Sequence, residues 1–288
     1  MRRRSMRVLT AILALASAGP AAGQALETAS DAYQRTLYRE ALSLLVEVPR
    51  RSAADHALAG KCYYQLGDYK SAIESFEKAV GAEPENAGYH NWLGRSYGRR
   101  AENSSFITAP RLAARARDAF RKAVDLAPRN LEAVADLFEY YLEAPGFLGG
   151  GKDKAAQLAE TVRHVDPAEF QFFQARLAEK RKDLSAAERH YRAAAALEPS
   201  KAGRLLDVAS FLARRKRYDE SDAAFRDADR IAPGDPKVLF ARASALVAGG
   251  RHLAVARQLL DKYLQSQLNP DLPSRKEAEQ LLRKVPSG

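Results

Sequence analysis

The stretch "GKCYYQLGDYKSAIESFEKAVGAEPEN", residues 60–86, decides the fold. Its small and aromatic residues recur at intervals of three, four and seven, which is the period of a helical stripe. A glycine in the middle separates two such helices, and a proline after the second prevents further helix. The stretch therefore predicts a pair of helices. The spaced positions are Gly60, Tyr63, Gly67, Tyr69, Ala72, Phe76, Ala79 and Pro84.

The same spacing recurs along the rest of the chain. The matching positions are Gly94, Tyr97, Ala116, Phe120, Ala123 and Pro128, then Ala155, Ala159, Val162 and Pro167, then Ala187, Tyr191, Ala194 and Pro199, and then Tyr218, Ser221, Phe225, Ala228 and Pro233. Pro199 and Pro233 lie 34 residues apart, whereas Pro84 and Pro128 lie 44 apart because of an insertion around "AENSSFITAP". A fixed period of this length indicates an array of repeats that stack on their neighbours.

This pattern resembles the tetratricopeptide repeat (TPR) family over most of residues 26–265. The resemblance implies an all-α, right-handed superhelical solenoid of antiparallel helix pairs. It predicts one solenoid over 26–288, with about six to seven repeats. The predicted units are an atypical first repeat at 26–52, then 53–86, 87–130 with the insertion, 131–167 with a glycine-rich loop, 168–201, 202–235, a degenerate 236–265 and a capping helix at 271–285.

Residues 1–25 have the outline of a secretory signal. A basic "MRRRSMR" precedes an apolar run and a small-residue segment that allows cleavage after Gly23 or Ala25. No cysteine near the cut offers a lipid anchor, and the apolar run is too short to span a bilayer. We therefore expect a periplasmic or secreted protein without a transmembrane anchor. The net charge of +10 falls to +6 without this segment, which favours acidic partners and gives no nucleic-acid signature.

The segment "APGFLGGGKDKA", residues 144–155, nearly matches a phosphate-binding loop. A predicted helix precedes it where such a loop needs a strand, and Asp153 stands where a Mg²⁺-binding hydroxyl belongs. The segment is interpreted as an enlarged turn that Pro145 begins, with Asp153 as the cap of the next helix. It is also a possible contact loop through Phe147, Leu148 and Lys152. Together with the preceding "LFEYYLE" it resembles a subgroup of exported bacterial TPR proteins.

Residues for catalysis or metal binding form no recognisable constellation. The five histidines have no paired spacing, and Cys62, the sole cysteine, is expected to be buried as a small apolar side chain. We therefore predict no catalytic residues, no metal and no cofactor, and expect a protein that is not an enzyme.

The TPR resemblance places the first helix of each repeat on a concave groove that binds extended peptides. Counted from the repeat starts, the predicted groove positions are Lys61, Tyr64, Gln65, Asn91, Arg95, Arg99, Phe172, Arg176 and Lys180, with Glu132, Glu139 and Glu143 presented by the intervening repeat. The basic set partly resembles the carboxylate-binding clamp of TPR co-chaperones. The alternative is that these are solvated helix charges that pair with the nearby glutamates. Trp92 is interpreted as a packing residue between helices.

Two functions fit this sequence. The first is a non-enzymatic protein–protein interaction scaffold of the bacterial cell envelope that binds a peptide or partner protein, with acidic groups suited to the groove. The alternative is an accessory factor for envelope polymer or outer-membrane assembly that contacts an acidic glycan, with Tyr64 and Phe172 available for sugar contacts. Nucleotide binding at the glycine-rich loop is kept as a hypothesis to test. The partner and the oligomeric state stay open.

Overall fold

The computed structural model describes residues 20–48 and 51–286, with side chains from residue 24 onward. Within these ranges the chain forms α-helices and no β-strand, as the helical spacing predicts. Residues 1–19, which hold most of the predicted signal segment, lie outside the described part. The helices are α1 Pro20–Gln34, α2 Tyr38–Val46, α3 Ala53–Leu66, α4 Tyr69–Ala82, α5 Ala87–Glu102, α6 Ala109–Leu126, α7 Leu131–Glu143, α8 Lys152–Glu160, α9 Pro167–Lys180, α10 Leu184–Leu197, α11 Ala202–Arg214, α12 Tyr218–Ile231, α13 Pro236–Ala248, α14 Leu253–Gln265 and α15 Arg275–Leu282.

Helix starts follow from capping side chains. The Ser52 hydroxyl accepts a hydrogen bond from the Asp55 N–H, and the Asp55 carboxylate accepts one from the Ser52 N–H. This reciprocal pair is a capping box. Asn86 and Asn130 cap α5 and α7, and Asp166 caps α9. These residues satisfy N–H groups that have no partner inside the helix.

In four of the helix pairs, a small residue of the first helix packs against an aromatic ring of the second. A Cβ added at Gly60 would lie 2.8 Å from the Phe76 ring, and one at Gly94 would lie 2.6 Å from the Phe120 ring. Alanine serves at the same place in later repeats, where Ala175 and Tyr191 share one buried cluster with Ala209 and Phe225. Close approach of the two helices therefore requires the small residues that mark the repeat in the sequence.

First helices form the inner wall of the solenoid. α5 contacts both α3 and α7, α7 contacts α9, and α11 contacts α13. Within the described residues, the second helices of neighbouring repeats make no such contact with one another. Elements on the inside of a curved array are nearer to each other than those outside. The concave face is therefore lined by α3, α5, α7, α9, α11 and α13.

The last part of the chain closes the array. α15 packs on α13 and α14, where Leu268 and Ala278 are buried. The segment before α15 also reaches the other end of the solenoid, because the Gln65 side-chain amide of α3 donates to the carbonyl oxygen of Pro270 at 3.0 Å.

Candidate functional site: the concave groove

The junction of α5 and α7 holds a closed polar cluster. Arg95 donates to Asp136 at 2.5 Å and pairs with Glu132 at 2.7 Å. Asn91 is buried and donates to the same Asp136 oxygen at 2.8 Å. Burial raises the pKa of the Asp136 carboxyl, and Arg95 and Asn91 oppose that rise. These two predicted groove residues thus bind a carboxylate of their own chain.

Trp92 is central to an aromatic and cationic cluster at the N-terminal end of the groove. Its ring stacks near Phe76 at 6.0 Å between centroids and meets the Tyr64 ring edge-on at 5.4 Å. Lys61 and Arg95 place their charges 5.3 and 4.9 Å from the same ring. This is the interhelical packing role expected for Trp92, and it engages Tyr64 as well.

Two further predicted groove residues have partners in the same chain. Gln65 is bound to the Pro270 carbonyl, as described above. Arg99 is exposed and pairs with Glu102 at 2.7 Å, with its guanidinium 5.8 Å from the Tyr69 ring. The N-terminal half of the groove is therefore largely engaged in intrachain contacts.

Pairing continues from α7 to α9. Arg176 bonds Glu139 at 2.9 Å and lies 3.5 Å from Glu143, while Lys180 bonds Glu143 at 2.7 Å. Burial raises the pKa of Glu139, and Arg176 acts against that rise. The basic and acidic groove positions that the sequence predicts in neighbouring repeats are ion-pair partners here.

Ion pairs also join α9 to α11, but here α9 supplies the carboxylates and α11 supplies the arginines. Glu169 and Glu179 of α9 bind Arg204 at 2.6 Å and Arg214 at 2.9 Å. The Arg204 guanidinium also lies 5.4 Å from the Phe172 ring centroid. The partners are 35 residues apart here and 37 apart between α7 and α9. Charged residues about one repeat apart in the sequence therefore pair across adjacent inner helices.

A pocket of about 440 Å³ opens between α9 and α11. Phe172 and Tyr191 supply its apolar wall, and both signs of charge border it. Three of the predicted groove residues, Phe172, Arg176 and Lys180, line it. The remaining lining residues are Glu143, Glu179, Tyr191, Asp207, Ser210 and Arg214.

A second pocket, of about 580 Å³, follows between α11 and α13 and shares Ser210 and Arg214 with the first. Its floor is made by small or apolar residues that include Ala241, Ser244 and Ala248. Sequence reasoning missed Ser210 and Ser244 because they carry no charge. The signal was available: both continue the Arg176 position at the 34-residue period. The groove is thus filled by long side chains at α5 and α7 and open from α9 to α13.

Asp207 is the titratable group of the first pocket. Burial raises its pKa to about 6, with the carboxylate of Glu169 adding to the rise and Arg204, Arg176 and Arg214 opposing it. The charge of this pocket therefore changes near neutral pH.

The glycine-rich segment is an inter-helix turn. It follows helix α7, contains a short 3-10 turn over Gly146–Leu148, and uses positive φ at Gly149 (86°) and Gly151 (149°). The Leu148 carbonyl accepts from Tyr140 at 2.9 Å and from Arg117 at 3.3 Å, which fixes the turn against α6 and α7. Phe147 is 82% exposed, Leu148 is partly buried and Lys152 is exposed.

The prediction that Asp153 caps the following helix is wrong. A cap at Asp153 puts the helix start at Lys154 or Ala155, whereas α8 begins at Lys152 and its capping position is Gly151, which has no side chain to bond with. The reason is the tight path of the turn. A Cβ at Gly150 would lie 1.9 Å from the Ala144 carbonyl oxygen, and the Gly151 N–H bonds the Tyr141 carbonyl at 2.7 Å.

Cys62 is buried, as expected, and burial raises the pKa of its thiol to about 12. His90 forms a hydrogen bond with the Pro84 carbonyl oxygen, and His190 forms one with the side-chain oxygen of Gln171. In the described part of the chain, no three His, Cys, Asp or Glu side chains are grouped as metal ligands. A search of residues 20–48 and 51–286 also found no helix with the length and apolar character needed to cross a membrane.

Comparison with known proteins agrees with this architecture. Family models match residues 60–99, as "TPR repeat", and residues 174–236, as "Tetratricopeptide repeat". The chain thus contains tetratricopeptide repeats. No curated protein matches it in sequence.

Solved structures with similar folds include two TPR proteins. A tetratricopeptide repeat protein from Parabacteroides merdae has a TM-score of 0.59 at 14% identity, covering 93% of this chain and 99% of its own. A thermophilic TPR protein from Thermus thermophilus has a TM-score of 0.52 at 18% identity, covering 69% and 98%. The human IFIT1 dimer with PPP-AAAA scores 0.56 at 18% identity, and the match covers 85% of this chain and 55% of IFIT1. At these identities the likeness establishes the all-α, TPR-like solenoid fold alone.

Proposed function

We propose that this chain is a non-enzymatic interaction scaffold of the bacterial cell envelope, and that it binds an extended peptide segment of a partner protein between α9 and α13. TPR proteins are generally protein-interaction scaffolds, and their fold is in general a non-catalytic one. The observation that carries the proposal is the pair of pockets that share Ser210 and Arg214 on the concave face. They adjoin each other between α9 and α13, whereas at the α5–α7 junction Arg95 bridges to Asp136 and Glu132.

The chemistry of the opening selects the ligand. Phe172 and Tyr191 present apolar surface beside Arg176, Lys180 and Arg214. Two carboxylates of α7 form ion pairs with Arg176 and Lys180 of α9. Glu143 is the more exposed of the two, with 54% of its side chain accessible. A ligand carboxylate that replaces Glu143 gains charge-assisted bonds to Arg176 and Lys180 without leaving a buried charge unpaired. The preferred peptide therefore carries an acidic residue next to an apolar one.

The glycan alternative has weaker support from the geometry. Sugar stacking needs an open aromatic face. The Tyr64 ring packs against Tyr69 and Trp92, and the Phe172 ring contacts Tyr191 and lies beside the Arg204 guanidinium. The Tyr64 ring is thus engaged, and of the two predicted sugar-contacting rings Phe172 alone lines the pocket, which favours a peptide side chain over a stacked acidic polysaccharide.

A random-peptide phage library panned on the purified chain tests the proposal. We expect enriched peptides with Asp or Glu beside an aliphatic residue. The Arg176→Ala/Arg214→Ala variant is expected to lose affinity by at least roughly 10- to 100-fold, since one lost charged hydrogen bond is worth about 1.5–3 kcal/mol. The matched control is Arg230→Ala, which removes an exposed outer-face charge on α12. No enrichment, or equal losses in both variants, would contradict groove binding.

The envelope location requires a separate test. We expect the chain, expressed in a Gram-negative host with a C-terminal tag, to fractionate with the periplasm or the medium. N-terminal sequencing of that product is expected to begin at Gln24 or Leu26, the residues that follow the two predicted cleavage sites. A full-length product retained in the cytoplasm would contradict export and leave the peptide proposal unaffected.

A further inference from the structure

The two edges of the solenoid differ in charge. The intra-repeat edge is formed by the turns between the two helices of each pair: 35–37, 67–68, 103–108, 144–151, 181–183, 215–217 and 249–252. These turns carry Arg35, Arg181, Lys182, Arg215, Lys216, Arg217 and Arg251 against Asp68 and Asp183. The described turns of the opposite edge mix Glu47, Glu83, Glu85, Asp166, Glu198 and Asp235 with Arg51, Arg129, Arg163 and Lys201. Positive charge is thus concentrated on one edge.

Most of these cations are available to a partner. Arg181, Lys182, Arg215 and Lys216 are all exposed, and among the described residues none has a carboxylate within 4.0 Å. Arg111 and Lys152, at the starts of α6 and α8, are exposed on the same edge and are likewise unpaired within the described ranges. Arg35, Arg217 and Arg251 pair with carboxylates of their own chain. The charge directed to solvent is therefore that of the unpaired residues.

Two of the lysines occupy strained backbone positions. Lys182 and Lys216 have φ of 64° and 58°, in turns that correspond to the one where Gly67 has φ of 80°. Glycine adopts this conformation freely, whereas a residue with a Cβ does so at an energetic cost. Thr36, at the corresponding place in the first turn, adopts the same conformation with φ of 59°. At this place Lys182 and Lys216 expose their side chains to solvent.

The same edge carries the most exposed large apolar side chains of the described chain. Phe106 is 87% exposed, Phe147 is 82% exposed and Ile107 is 74% exposed. All three lie in the two turns that are longer than the others, 103–108 and 144–151. Isolated exposed apolar residues need no explanation, but three on one basic edge point to a binding surface.

We propose that the intra-repeat edge docks on an anionic lipid surface. The exposed lysines and arginines contact the headgroups, and Phe106, Ile107 and Phe147 insert at the boundary with the acyl chains. Anionic leaflets attract basic clusters, and apolar side chains gain by leaving water at that boundary. A nucleic acid would neutralise the cations and leave the three apolar side chains in water. A lipid surface satisfies both features. Among the edge cations, Lys216 also lines the second groove pocket.

Vesicle sedimentation with the purified chain tests this inference. We expect binding to vesicles of phosphatidylcholine with phosphatidylglycerol at low salt, a marked loss in high salt because the attraction is screened, and little binding to phosphatidylcholine alone. Equal binding to both vesicle types, or binding to neither, would overturn the proposal.

Two variant sets separate the charge from the apolar contribution. Arg181→Ala/Lys182→Gly is expected to lower the affinity about 30-fold, since each basic residue near an anionic surface contributes about fivefold. The same variant is expected to melt at an equal or higher temperature, because it relieves the positive-φ strain. Phe106→Ser/Ile107→Ser/Phe147→Ser is expected to lower the affinity by at least about tenfold while the dependence on phosphatidylglycerol persists.

Matched controls lie on the opposite edge. Arg129→Ala/Lys237→Ala removes two exposed positive charges, and Val46→Ser removes an apolar side chain that is 67% exposed. Vesicle binding is expected to change less than about threefold in these controls. Comparable losses in the controls and the edge variants would show that binding is unspecific, and the proposal would be wrong. Because none of the substituted edge residues lines either groove pocket, the peptide-binding proposal stands or falls separately.

Discussion

The α5–α7 junction and the α9–α11 junction use the same kinds of residues for different ends. At the first, Arg95 and Asp136 are each only 23% exposed as side chains and bind each other together with Asn91. At the second, Arg214 is 55% exposed, and a pocket of about 440 Å³ lies beside it. The difference comes from side-chain size. The groove position of Arg95 is occupied by Ser210 in α11 and by Ser244 in α13, so the wall opens there. The repeats thus form one scaffold, and a few inner side chains decide whether a junction is filled or open.

The largest effect on stability is expected when the polar cluster at the α5–α7 junction is broken. Arg95→Ala leaves the Asp136 carboxylate without its cationic partner in a mostly buried site, with the amide of Asn91 still bound to it. We expect the free energy of unfolding to fall by about 3 kcal/mol, as is typical when one member of a buried ion pair is removed. Urea denaturation followed by circular dichroism measures the change.

The control for that change is the corresponding substitution at the α9–α11 junction. Arg214→Ala breaks its exposed pair with Glu179 and is expected to cost less than about 1 kcal/mol. If the two variants were destabilised equally, the contrast between the junctions would be wrong.

Filling the pocket tests its role in binding. Ser210→Trp places an indole between α9 and α11, and we expect the affinity for the selected peptides to fall about 100-fold, as at a binding hot spot. Isothermal titration calorimetry measures it. Gly81→Trp is the matched control, because Gly81 is exposed on α4 and an added Cβ there meets no atom within 4 Å. Unchanged affinity in the Ser210 variant would place the ligand elsewhere.

A pH titration sharpens the contrast through Asp207. Its pKa of about 6 in the folded chain exceeds the ordinary value of 3.8, so the folded state binds the extra proton between these values. The contribution of this group to stability is therefore greatest at low pH and is lost as pH rises through about 6. We expect the stability difference between wild type and Asp207→Asn to change in that direction between pH 5 and 7. Affinity for an acidic peptide should rise a few-fold as the pH falls, in the wild type only. Identical pH profiles would assign the titration to another group.

The smallest effect concerns the glycine-rich turn. We expect no Mg²⁺-dependent nucleotide binding, in wild type or in Lys152→Ala, because helix α7 precedes the turn and the Leu148 carbonyl is bound to Tyr140 and Arg117. Fluorescent nucleotide titration measures this. Saturable binding that the substitution removes would restore the phosphate-loop interpretation.

Much of this molecule could be predicted from its period. The small residue and the ring that pack in each pair, such as Gly94 and Phe120, are 26 residues apart because of the insertion, and still meet. The groove positions from Lys61 to Lys180 also follow from repeat counting. The start of α8 could not be predicted, since it depends on how closely Gly150 passes the Ala144 carbonyl. That distance is set by the packing of the turn on α6 and leaves no mark in composition.

The sequence by itself determined the helix pairs, their period and the identity of the inner positions, because local spacing of small, aromatic and proline residues governs helix formation and closure. Only the tertiary structure decided which charges are available. Whether Arg95 or Arg214 faces a ligand depends on carboxylates one repeat away and on the volume of the side chains between them. Those are properties of neighbouring helices in space, and no single repeat contains them.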